Sequence, residues 1–135
     1  MKGSCACGGI QYELNDKFLI ANHCHCSICR KVHGAAFSTS GHTHANAFHW
    51  LQGEELLTGY RSSEGNVRNF CQVCGSNMPS IFPEMNYVRI PLATLDDEPE
   101  IQPKVHLYVK SKVPWFEIAD ELPQYPEVVD LRKLV

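Results

Sequence analysis

Cys24-His25-Cys26-Ser27-Ile28-Cys29 sets three thiols within six residues, and the pairs Cys5-Ala6-Cys7 and Cys71-Gln72-Val73-Cys74 complete the chain's seven cysteines. Disulfide scaffolds usually carry an even count and a secretory leader. This count is odd, and Met1-Lys2-Gly3-Ser4-Cys5 holds no apolar run, so a cytoplasmic protein is expected. A C-x-C pair would make a strained disulfide ring, and cysteines that merely fill a core have no reason to cluster. A redox dithiol at Cys26-Ser27-Ile28-Cys29 would need a βαβ setting that the surrounding sequence lacks. Close-spaced soft thiolates point to Zn²⁺, with an iron–sulfur cluster sharing the same ligand type. Gly8-Gly9 after Cys7 and Gly75 after Cys74 suit backbone that must turn its N–H groups toward sulfur.

Seven thiols divide as four plus three. A structural zinc takes four protein ligands and closes, whereas a catalytic zinc takes three and leaves a position for water or substrate. Spacing leaves two divisions open. Cys26 and Cys29 with Cys71 and Cys74 make two C-x₂-C knuckles, with Cys5, Cys7 and Cys24 left over. Alternatively, Cys5, Cys7, Cys71 and Cys74 form a clamp, and Cys24, Cys26 and Cys29 remain as a local tripod. The chemistry favours the second, because such a clamp closes a long loop, where a cross-link restricts the unfolded chain most.

The rest of the chain argues for many short strands. Its 135 residues suit one domain, 1–135, and 44% apolar residues is a globular value. Ile10, Tyr12 and Leu14 alternate with Gln11 and Glu13, a strand period. Short apolar runs follow at 18–21, 35–39, 47–51, 66–70, 80–82, 87–92 and 106–109, punctuated by Gly41, Gly53, Gly59, Gly65, Pro83 and Pro91. Helix is expected only as a turn after Cys29 and over 115–122, which Pro114 precedes and Pro123 closes. Asp96-Asp97-Glu98 reads as a solvated turn. Twelve Lys and Arg against fifteen Asp and Glu give −3, no basic stripe for nucleic acid, and no run is long enough to span a membrane. Nucleoside-phosphate loops, serine-hydrolase elbows and H-E-x-x-H zinc motifs are all missing.

The stretch Cys24-His25-Cys26-Ser27-Ile28-Cys29-Arg30-Lys31-Val32-His33-Gly34 resembles the signature of the glutathione-dependent formaldehyde-activating enzyme family, which includes centromere protein V. The resemblance extends to Gly3-Ser4-Cys5-Ala6-Cys7-Gly8-Gly9, to Val67-Arg68-Asn69-Phe70-Cys71-Gln72-Val73-Cys74-Gly75, and to Trp115-Phe116-Glu117-Ile118 with Leu122-Pro123. It implies a mainly β fold, a β-tent of two layered antiparallel sheets with short helical turns, pinned by zinc. It also implies two zinc ions per chain: a structural one on Cys5, Cys7, Cys71 and Cys74, and a catalytic one on Cys24, Cys26 and Cys29. The implied activity is that of a carbon–sulfur lyase, the reversible joining of glutathione and formaldehyde into S-hydroxymethylglutathione. The partners expected are therefore a small-molecule thiol and an aldehyde. A non-catalytic zinc-stabilised binding module is the alternative, and the surplus tripod argues against it.

Around the tripod, Arg30 and Lys31 are candidates for attracting a carboxylate-bearing substrate. His23 and His25 flank Cys24, and either is open as a fourth ligand, a proton carrier or a plain strand residue. Because adjacent strand residues face opposite ways, not all of 23–26 can face the metal. His33, His42, His44, His49 and His106 carry no spacing argument and are expected at the surface or in the core.

Overall fold

The computed structural model describes residues 1–135. Eleven short strands and one α-helix make it up: β1 Lys2–Ser4, β2 Gln11–Leu14, β3 Ile20–Cys24, α1 Ser27–His33, β4 Ser38–His44, β5 Phe48–Gln52, β6 Leu57–Ser63, β7 Asn66–Cys71, β8 Asn77–Met78, β9 Ser80–Phe82, β10 Tyr87–Pro91 and β11 His106–Leu107. The expectation of a small, mainly β fold with layered sheets holds. Hydrogen bonding divides the strands among three sheets rather than two, ordered β1-β2-β5, β11-β3-β4-β10-β9 and β6-β7-β8. All pairings are antiparallel except β11 with β3, where His106 lies beside His23 and Leu107 beside Cys24. No helix is long and apolar enough to cross a membrane.

One apolar cluster ties the three sheets together. Tyr12 and Leu14 of β2 and Phe48 of β5 meet Met78 of β8 and Val88 and Ile90 of β10, with the Cys5 and Cys71 thiols in the same cluster. Each such side chain contributes about 1.5–3 kcal/mol on leaving water. Tyr12 is fully buried, and its hydroxyl lies 2.7 Å from that of Thr94, so the ring brings no unpaired polar atom inside.

The five-stranded sheet has a polar middle. β4 reads Ser38-Thr39-Ser40-Gly41-His42-Thr43-His44, yet Ser38, Ser40 and Thr43 are buried. Strand alternation explains the arrangement. Asn22 pairs across to Ser40, Cys24 to Ser38, and His42 to Arg89, so these six residues share one face. Val88 and Ile90 turn the other way, into the core.

The expected helix over 115–122 does not form. The segment runs without regular structure, and side chains satisfy its backbone: the Lys112 ammonium donates to the Phe116 carbonyl, and the Asp120 carboxylate accepts from Leu122 N–H at 2.9 Å. Asp96 and Asp97 are exposed as expected but also grip an edge strand. Lys2 N–H donates to the Asp97 carboxylate at 2.6 Å and the Ser4 hydroxyl to Asp96 at 2.8 Å.

Candidate metal centre and cleft

The four thiols of Cys5, Cys7, Cys71 and Cys74 lie within 4.8 Å of one another, as do the three of Cys24, Cys26 and Cys29. These groups match the four-plus-three division with the clamp joining the chain's start to its middle. The sulfur separations of the four-thiol clamp suit zinc. A tetrahedral zinc–thiolate centre, with bonds of about 2.3 Å, places its sulfurs about 3.8 Å apart. Cys5 and Cys7 sulfurs are 3.5 Å apart, and Cys7 and Cys71 sulfurs 3.9 Å. Local backbone holds them there: Ile10 N–H donates to the Cys5 sulfur at 3.2 Å, and Ala6 N–H to the Ser76 hydroxyl at 2.9 Å, which ties the two knuckles together.

The tripod is built differently. Cys24 ends β3, Cys26 is the N-cap of α1, and Cys29 lies in its first turn. The Cys26 sulfur accepts from Cys29 N–H at 3.3 Å, so one residue caps the helix and presents a thiol. Gly34 ends the helix in the left-handed conformation, its N–H returning to the Arg30 carbonyl.

These three thiols compete for one negative charge. Hydrogen bonds from the Cys24 and Cys26 thiols hold Cys29 far below the ordinary thiol range, aided by Ser38 and the Arg68 guanidinium against the effect of burial. Cys24 is pushed far up by its hydrogen bonds with Cys26 and Cys29, and further by burial. Ionising all three together would need a cation among them, and the donor set is compatible with zinc.

All three cysteines line a cleft of about 480 Å³. Its floor is the polar sheet face, with Asn22, Ser38, Ser40, His42 and Arg89, and β7 contributes Arg68. The Arg68 guanidinium sits 3.6 Å from the Cys29 sulfur and donates to the Ser62 hydroxyl at 3.1 Å. Arg89 donates to the Asn66 side-chain carbonyl at 3.0 Å. Neither guanidinium has a carboxylate partner, and none of the 19 lining residues is acidic. The third cation, Lys110, is paired with Glu127. His42 is pushed down to about 4 by burial and by Arg89, and its ring nitrogen lies 2.8 Å from the Asn22 side-chain oxygen.

Arg30 and Lys31 occupy the last turn of α1, where cations complement the helix carbonyl end, and neither lines the cleft. Arg68, Arg89 and the cleft's rear support were not singled out from sequence. No spacing rule connects Arg68 or Arg89 to the tripod, whose Cys29 lies 39 positions before the one and 60 before the other; Arg68 falls within the family resemblance, and Arg89 is marked only as a basic residue in an apolar run. His23 and His25 point away from the sulfurs. His23 bonds the Thr39 hydroxyl at 2.8 Å, and buried His25 bonds His106, also buried, at 2.8 Å. A larger hollow of about 730 Å³, between residues 17–19 and 98–104, contains neither cysteine group.

Comparison with known proteins agrees with this geometry. A family model described as glutathione-dependent formaldehyde-activating enzyme matches residues 1–111. A Halomonas elongata protein, provisionally named a glutathione-dependent formaldehyde-activating enzyme, is 30% identical over 129 residues, covering 87% of this chain and 80% of that one. The crystal structure of a Rhodobacter sphaeroides protein is similar with a TM-score of 0.60 at 25% identity, over 74% of this chain and 92% of that chain. The match spans both cysteine groups and all eleven strands, and on it the chain belongs to the glutathione-dependent formaldehyde-activating enzyme family.

Proposed function

We propose that residues 1–135 form one zinc-pinned domain that catalyses reversible carbon–sulfur bond formation between a thiol and a small aldehyde. Glutathione and formaldehyde are the pair the family's name supplies. The reading assigns a structural zinc to Cys5, Cys7, Cys71 and Cys74, and a catalytic zinc to Cys24, Cys26 and Cys29. It rests on one observation, a three-thiol group in the wall of a cleft large enough for a small molecule. A zinc ion bound there supplies Lewis acidity and stabilises thiolate.

The chain's own residues supply binding and proton control. Arg68 and Arg89, unpaired with any carboxylate, hold an anionic thiol by its carboxylate. Arg30 and Lys31 add positive charge farther along α1 and draw such a substrate toward the cleft. Tyr108 lines the cleft with a phenol that burial, then the Cys24 and Cys26 sulfurs, keep protonated, so its hydroxyl is a donor for the oxygen that gains charge during addition. In the forward direction S–H and C=O become C–S and O–H, and the reverse restores them with no other reactant. Such thiol chemistry belongs in a reducing cytoplasm.

Metal content and thiol–formaldehyde exchange followed by NMR test the reading together. The wild-type chain is expected to hold two zinc ions and accelerate exchange. Cys26→Ala should keep one ion and the fold while losing the acceleration. Unchanged exchange in Cys26→Ala refutes the assignment, and one ion with three free thiols in the wild type favours a non-catalytic binding module.

A further inference from the structure

Alternation along β3 places Cys24 on the cleft face and His23 on the opposite face, and the parallel neighbour β11 follows suit, with Leu107 in the cleft and His106 behind it. His25 continues the rear series although it lies between two tripod cysteines. Its Nε2 is 2.8 Å from His106 Nδ1, and His106 Nε2 is 2.9 Å from the Asp120 carboxylate. The His23 ring stacks on His106 at 4.7 Å, and Phe37 packs against all three imidazoles.

The order of protons in this line follows from the carboxylate. An ionised carboxylate only accepts, so His106 Nε2 carries the hydrogen. In neutral rings His106 Nδ1 then accepts, His25 Nε2 donates, and His25 Nδ1 is left without a hydrogen. That last atom is buried and has no partner, which suits a bare lone pair better than an N–H. The backbone runs along the same line. His25 N–H donates to the Leu107 carbonyl at 2.9 Å, and His106 N–H to the Pro123 carbonyl at 2.8 Å.

We propose that Asp120 is a positioning residue for the tripod, holding the Cys24-His25-Cys26 backbone from behind through His106 and His25. Asp120 lies beyond residue 111, where the family match ends, so the trailing segment of this chain sets the geometry of a site built by its first thirty residues. The inference rests on the tripod binding a divalent ion, as argued above.

Asp120→Asn tests it. The side-chain oxygen can still accept from Leu122 N–H and keep that turn, but the carboxylate that dictates the His106 tautomer is gone. Zn²⁺ titrated against a chelating dye, with Co²⁺ absorption to report each thiolate centre, should show tripod affinity falling about tenfold and clamp affinity unchanged. Imidazole ¹⁵N shifts of the wild type should show His106 protonated at Nε2 and bare at Nδ1. Wild-type tripod affinity in Asp120→Asn, equal weakening of both centres, or the opposite His106 tautomer each overturns the proposal. A wild-type chain that binds only one ion would instead sink the two-centre reading on which it depends.

Discussion

Arg68 is 8% exposed and reaches the tripod from a different sheet, so its charge must be satisfied locally. It has the Cys29 sulfur on one side and the Ser62 hydroxyl on the other, and no carboxylate. If the cleft binds an anionic thiol, Arg68→Met removes a charge-assisted hydrogen bond worth about 1.5–3 kcal/mol, roughly a tenfold or greater rise in KM. Steady-state exchange with glutathione should show that rise, while a neutral thiol such as 2-mercaptoethanol should change little. Equal losses with both thiols would place the effect at Cys29 instead. Arg68 sits within the family resemblance, but nothing local assigns it a role, because its partner Cys29 is 39 positions away. The tripod was legible for the opposite reason: Cys24, Cys26 and Cys29 are neighbours in the chain, and local spacing limits what they can do.

At the level of elements, turns carry more of the architecture than the strands' composition suggests. Gly53 follows β5 with φ of +78°, and a Cβ there would lie 2.0 Å from the Gly9 carbonyl oxygen, beside the loop that carries Cys5 and Cys7. Gly65, between β6 and β7, has a similar φ of +68° but open space where a Cβ would go. The pair separates two effects. Gly65→Ala should cost about 1 kcal/mol for the left-handed backbone alone, and Gly53→Ala about 3 kcal/mol because backbone must also move. Urea unfolding of the metal-loaded proteins measures the difference; equal costs would mean the Gly9 loop yields freely. The alternation of Ile10, Tyr12 and Leu14 was readable because one face of β2 is core and the other is solvent. The segment 115–122 carries the local marks of a helical turn, bounding prolines and apolar residues, without forming one. Its actual partners, Phe37 for Phe116 and His106 for Asp120, come from remote elements that no local pattern encodes.

For the whole molecule, β4 runs a polar strand through the middle of the largest sheet, and that choice makes stability depend on pH. His42 is half-buried on the cleft face, facing Asn22 across its hydrogen bond, the Arg89 guanidinium and the Tyr87 ring. In the fold its pKa is pushed down to about 4, against 6.5 for the free side chain. Between those values the unfolded chain binds a proton that the native chain refuses. Stability therefore falls as pH drops from 6.5 toward 4, and His42 adds no slope above that window. His42→Gln keeps a donor for Asn22 and removes the titration. The stability difference between wild type and variant, measured by urea unfolding at a series of pH values, should be constant above pH 7. It should shift in the variant's favour as pH falls through the window, with a slope approaching one proton. Acid release of metal from the thiolates affects both proteins alike, so it cancels in that difference. A difference that stays flat down to pH 4 would mean His42 accepts its proton within the native cleft, and Arg89 would then face a second cation with no acid nearby to balance it.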